Sequence, residues 1–317
     1  MERRLWIKVY HLLRRLDAQR PPSERLAGAT HKDWVIAAVY YWAVLNGRTQ
    51  HWCCQRENWP RLTQHLTKLP SPPTLSRRLR SEPVVSLLRR LEAELRRSYC
   101  RMGIDWVYTL DGKPLPVGGR SKDPDAARGR GPGMWIRGYR LHAVWGDGVF
   151  PIIWEVRPAN DNEMPIAEGL LRQARRERRV CSCQRLQGGT RRRGNASYLA
   201  SYLGYLLADA GYDSVRMYQR AEAVGCRLVA PRRDPSKAVD RRASHPLRLD
   251  AVQKYETEEL RFGAGLHDWR TDVERQFSRL CSGLGGLQPL PAHVRRRHRV
   301  RRWVQAKLIL RALATTL

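Results

Sequence analysis

The sequence predicts an α/β fold: a mixed sheet with flanking helices, preceded by a small all-helical N-terminal segment. Three observations predict it. Apolar residues over the first 100 positions recur at helical spacing. After Gly103 the texture changes, and signals follow in the order strand, hairpin, helix, strand, helix, strand, loop, helix. Hydrophobic residues make up 42% of the 317 positions, enough to fill one large core or two ordinary ones.

The N-terminal elements come first. Residues 1–17 interleave basic residues with leucine, so they read as an amphipathic helix and not as a secretory signal. Thr30-His31-Lys32-Asp33 has the form of a capping box ahead of the apolar run Trp34–Leu45, which Gly47 ends. That run is apolar on nearly every side, so its helix should be buried. Ser71-Pro72-Pro73 starts a short basic helix through Arg80 that carries Arg77 and Arg78. Val84, Leu87, Leu88, Leu91 and Leu95 then mark another helix. A short basic helix in a compact helical domain is also the pattern of a helix-turn-helix unit, with a plain helical bundle as the alternative.

Beyond Gly103, Trp106–Asp111 is a β-rich run that Asp111-Gly112 should close. Gly118–Gly133 is rich in Gly, Arg, Asp and Pro and is expected to be a loop. Arg140–Trp145, Gly146-Asp147-Gly148 and Val149–Val156 form a hairpin signature. A helix is expected from about Glu163 to Arg178. Residues 172–193, with nine arginines and one glutamate, read as a charged linker. Tyr205–Ala208 should be a strand ending in Asp209, Asp213-Ser214 a helix cap, and Cys226–Ala230 a second strand. Residues 232–265 read as irregular, Trp269–Leu284 as a helix, and the end of the chain as a basic tail with an apolar helix. The expected domains are 1–100, 101–290 and 291–317.

Charge narrows the function. Lys and Arg number 59 against 30 Asp and Glu, a net +29. Such an excess favours a polyanionic partner, because neutralising phosphates releases counterions. No apolar run approaches the roughly 20 residues that span a bilayer, and a cytoplasmic, nucleoid-associated location follows as the expectation. The seven cysteines include no C-x-x-C pair, which argues against a structural zinc site.

Three acids stand out by position. Asp111 and Asp209, 98 residues apart, are each expected at a strand end, where α/β sheets open their crevices. Glu274, 65 residues further, lies on a helix whose Val273, Phe277, Leu280 and Leu284 form a buried stripe. Arg270, one turn earlier, can contact a phosphate or orient Glu274. Phosphodiester transfer needs both the attacking and the leaving oxygen stabilised. Two Mg²⁺ ions about 3.5–4 Å apart do this, held by a few carboxylates. An Asp at a strand end can equally be a turn residue or a helix cap.

Several blocks resemble those of DDE transposases of bacterial insertion sequences, in the IS-four-like group. They are Leu110-Asp111-Gly112-Lys113, Gly138-Tyr139-Arg140-Leu141-His142, Leu207–Ser214 and Arg270–Leu280. The resemblance implies a ribonuclease-H-like core with Asp111, Asp209 and Glu274 as catalytic residues and metal ligands. The ions would be two Mg²⁺, with Mn²⁺ able to stand in. It also implies an N-terminal domain that recognises the terminal inverted repeats of double-stranded DNA, and a homodimer in the complex that pairs two ends. Arg270, Arg275, Arg279, Lys113, Arg77 and Arg78 are the expected DNA contacts. The sequence departs from the family's helix pattern at His267, where the pattern has tyrosine, and at Cys281, where it has lysine. These departures leave a second reading open, a DNA-binding protein derived from a transposase that no longer cleaves. A basic RNA-binding protein is a third.

Overall fold

The computed structural model describes residues 2–59, 68–100, 107–131, 133–146, 148–186, 204–223, 225–234, 236–237, 246–256, 271, 274–282 and 284–315. Helices α1 (Glu2–Ala18), α2 (Asp33–Leu45), α3 (Gln50–Cys53), α4 (Pro72–Arg78) and α5 (Glu82–Cys100) come first. Strands β1 (Val107–Pro116), β2 (Ala127–Arg130), β3 (Trp135–Trp145) and β4 (Ile153–Pro158) follow. Then come α6 (Glu163–Leu186), β5 (Gly204–Leu207), α7 (Val215–Ala223), β6 (Cys226–Val229) and α8 (Pro246–Glu256). Helical residues 274–282 are α9, and α10 is Arg297–Ala314. Two compact units divide the chain. One holds residues 1–98, 120–123 and 280–317, the other 99–119 and 124–279.

In the helical unit α2 is buried on almost every side, as its composition requires, and Leu5, Val9 and Leu13 of α1 are buried with it. The expected capping box is not formed. The cap position of α2 is Lys32, with no side-chain cap bond. Asp33 is instead fully engaged by guanidinium groups, accepting from Arg20 and from Arg78. The C-terminal helix is no separate tail. It packs on α1 and α2, with Val300, Val304, Leu308 and Ile309 buried. Lys307 anchors it. Its ammonium is fully buried and donates to Val44 O at 2.9 Å and Leu284 O at 2.8 Å. Burial pushes this lysine down to about 8.

In the other unit the sheet runs β2-β3-β1-β5-β6, with β4 sharing the outer edge of β3 with β2. β1, β3 and β4 are antiparallel neighbours, whereas β1, β5 and β6 are parallel. α6 and α7 cover one face through Ile166, Leu170, Met217 and Ala221, against Tyr108, Leu110 and Leu206. On the other face, by strand alternation, lies Trp145, where Phe277 of α9 packs edge-on with ring centres 5.6 Å apart.

Four expectations about this unit are corrected. The supposed loop 118–133 contains β2, which pairs with the start of β3. It fits there because a side chain at Gly129 would meet Ala159 O at 1.9 Å. The hairpin connection is longer than Gly146–Gly148, since the last register pair is Val144 with Ile153. Residues 172–186 of the supposed linker continue α6. Within the supposed irregular stretch 232–265, α8 forms and buries Ala251 and Val252.

Candidate active site

β1 does not end at Asp111. It pairs with β5 only through Val107, Tyr108 and Thr109, then runs on to Pro116 against β3 alone. The expected Asp-Gly stop is overridden because residues 112–116 keep their antiparallel partners. At Gly112 a Cβ would press on Arg140 Cδ at 2.9 Å, a contact that the flexible arginine side chain can relieve. Asp111 therefore lies beside the opening left where β5 stops. Asp209 follows β5 there. The parallel register advances in step, with Val107 opposite Tyr205 and Thr109 opposite Leu207, so the next residue of the same parity is Asp111 on β1 and Asp209 past β5. Neighbouring strands lie about 4.8 Å apart. Continued at that register, Asp111 and Asp209 fall at one level beside the opening.

Each carboxylate is oriented by backbone. Asp111 Oδ1 accepts from Gly112 N at 2.7 Å, and Asp209 Oδ1 from Gly211 N at 2.9 Å. Asp209 is exposed and caps the single 3-10 turn Ala210–Tyr212. Tyr212 on that turn reports both acids. Burial first, then the charges of Asp209 and Asp111, hold its phenol well above the usual tyrosine range, with Arg140 acting in the opposite sense. Its hydroxyl donates to Glu163 Oε2 at 3.3 Å, and Arg140 pairs with the other oxygen of Glu163. Tyr212, Glu163 and Arg140 are thus neighbours of the two aspartates that sequence reasoning did not assign. The signal was the Gly-Tyr after Asp209 and the acid that opens α6.

Glu274 is exposed on α9, three residues ahead of Phe277, on the helix that covers the Asp111 face. Among the described residues no three acids, histidines or cysteines gather closely enough to hold one metal ion. The register sets the two aspartates at one opening, and among the described residues Glu274 does not complete a metal-holding group with them. Arg275 and Arg279 are exposed on α9, and Lys113 is half-buried on β1. Arg270 and His267 lie outside the described residues. His142 of the Gly-Tyr-Arg-Leu-His block is a core residue, pushed down to about 4 by burial and by Arg140 and Arg157. Arg77 is exposed on α4. The expectation of a DNA contact at Arg78 is corrected: its side chain is buried against Asp33 and cannot reach a groove. The neighbouring exposed cation is Arg80.

A mixed sheet in which β3 and its antiparallel neighbours β1, β2 and β4 are continued by the parallel strands β5 and β6, with Asp111 on β1 and Asp209 just past β5, has the layout of a ribonuclease-H-like fold. A family model described as the transposase DDE domain matches residues 103–317, and the chain belongs to that family. The resemblance to insertion-sequence transposases is borne out at that level. No curated protein and no solved structure matches the chain. Among the described residues no helix is long and apolar enough to cross a membrane.

Proposed function

We propose that this transposase cleaves and rejoins DNA strands at the ends of an insertion sequence by metal-dependent phosphodiester transfer, with Asp111, Asp209 and Glu274 as metal ligands. The observation that supports this reading is the parallel register of β1 and β5, which carries Asp111 and the residue two past β5, Asp209, to one level, with both charges acting on the Tyr212 phenol. Two acceptor-only carboxylates side by side suit a hard divalent cation that keeps several of its waters, so the donor set fits Mg²⁺ or Mn²⁺. When bound, a pair of such ions supplies charge neutralisation at the reacting phosphate and a more acidic attacking hydroxyl.

The chain's own groups do the rest. Gly112 and Gly211 N–H groups each hold one oxygen of an aspartate and so restrain the two carboxylates. Tyr212 stays protonated and, with Arg140, occupies Glu163, which keeps that nearby carboxylate satisfied. Glu274 supplies the third ligand from α9. Arg275, Arg279 and Lys113 contact the backbone of the DNA at the site, with Arg270 one turn ahead of Glu274. Arg77 serves the helical unit's hold on the ends. Two copies act together in the complex that pairs the ends, and the protein works in the cytoplasm on the nucleoid.

The test is strand cleavage of a plasmid carrying the element's ends. Asp111→Asn, Asp209→Asn and Glu274→Gln should each lose cleavage in Mg²⁺ and in Mn²⁺ while still binding the DNA. Full cleavage by any one variant removes that residue from the site. Wild-type protein that binds the ends but never cuts them would instead establish the DNA-binding relic.

A further inference from the structure

The helical unit holds a second charged site. A cavity of about 220 Å³ opens between residues 48–51, which follow α2, and residues 293–303 at the start of α10. Its lining includes Arg48, Arg299, Arg302, His51 and His293 and no carboxylate. Tyr40 forms its floor, with the Arg302 guanidinium 6.0 Å from the ring centre. Among the described residues the guanidinium groups of Arg48, Arg299 and Arg302 have no acid or hydrogen-bond acceptor, and Arg302 has only the Tyr40 ring. The His293 ring hydrogen-bonds to the Arg48 backbone and packs edge-on against Trp303.

Arg302 is the telling member. Burial lowers its affinity for its proton, and Arg299 and Arg80 push the same way. The group that opposes them is the Tyr40 phenol, which burial holds in its neutral form. A guanidinium does not give up its proton in a protein. The fold therefore holds a half-buried guanidinium among like charges, facing an open cavity. Such an arrangement favours an anion that neutralises it. Converging guanidinium groups suit the several acceptor oxygens of a phosphate.

We propose that this cleft seats a backbone phosphate of the DNA, gripped by Arg48, Arg299 and Arg302, so that the start of α10 and the α2–α3 connection form one contact surface. The proposal rests on the reading of the chain as a transposase, which supplies the polyanion. A phosphate contact carries no sequence preference, so it adds affinity and register without selecting bases.

The experiment uses the full chain and a labelled duplex of arbitrary sequence, titrated between about 50 and 200 mM salt. Arg302→Gln and Arg48→Gln should each weaken binding about three- to tenfold at low salt and flatten the log–log salt slope by about one. Arg302→Gln should melt no lower than wild type, because it relieves the repulsion of Arg302 by Arg299 and Arg80. Arg48 is exposed, so its variant tests the cleft even if the Arg302 variant misfolds. Wild-type affinity and slope in both variants would overturn the proposal. If inorganic phosphate raises the melting point of wild type alone while both variants bind DNA normally, the cleft holds a free anion and the DNA assignment is overturned. Failure of the wild-type protein to bind any DNA would contradict the transposase reading itself.

Discussion

Asp33 in the helical unit and Asp209 at the sheet opening are the same residue type in opposite circumstances. Asp33 is buried and accepts from two arginines that the fold has also buried, Arg20 and Arg78. Asp209 is exposed and is held by a single backbone N–H two residues away. The arginines divide in the same way. Arg78 has its acid, whereas Arg302, half-buried, faces a cavity without one. A charge spent on another charge inside the fold stabilises a packing arrangement. A charge positioned but unspent is available to a ligand.

The largest effect should come from breaking the spent set. Asp33→Ala leaves the buried Arg78 without its acid and Arg20 with Asp17 alone, and should cost about 3–5 kcal/mol in chemical denaturation. Folded Asp33→Ala protein should still cleave DNA; a variant that is stable but inactive would undo the contrast. Asp209→Asn is the mirror case. Changing a group that only orients a ligand costs about 10–100-fold, so changing the ligand itself should lower strand cleavage by more than about a hundredfold. Its unfolding midpoint should barely move, and a large drop there would mark Asp209 as structural.

Asp213 sharpens the comparison through pH. Burial raises its carboxyl, but the paired hydrogen bonds of Arg248 and the Arg233 N–H outweigh that and leave it below the usual aspartate range. A depressed folded value means the unfolded chain binds the proton more readily. The stabilisation is thus complete above about pH 4 and drains as pH falls through the folded value. Asp213→Asn should flatten that acid limb, read as thermal melting between about pH 5 and 2. An unchanged limb would mean that other carboxylates govern it.

Much of the fold was legible because periodic apolar stripes must be buried. α2, α5, α7, β5 and β6 stand within a few residues of their expected bounds. What escaped depended on partners remote in sequence. β2 reads Ala-Arg-Gly-Arg, poor strand-forming residues that pair only because the edge of β3 is there to accept them. α8 lacks an apolar stripe and is recognisable only from the burial of Ala251 and Val252. Arg78 looked like an exposed basic-helix residue until Asp33, 45 positions earlier, took it into the core. The aspartates were legible from local motifs. Their common level was not, because it is a property of strand register.

If Asp111 and Asp209 jointly bind a divalent cation, Mn²⁺ titration followed by electron paramagnetic resonance reads that binding without reference to cleavage. Wild-type protein should remove Mn²⁺ from the free signal at a saturable site, and Asp111→Asn or Asp209→Asn should each abolish that site while the fold persists. Equal Mn²⁺ binding by wild type and both variants would contradict the account.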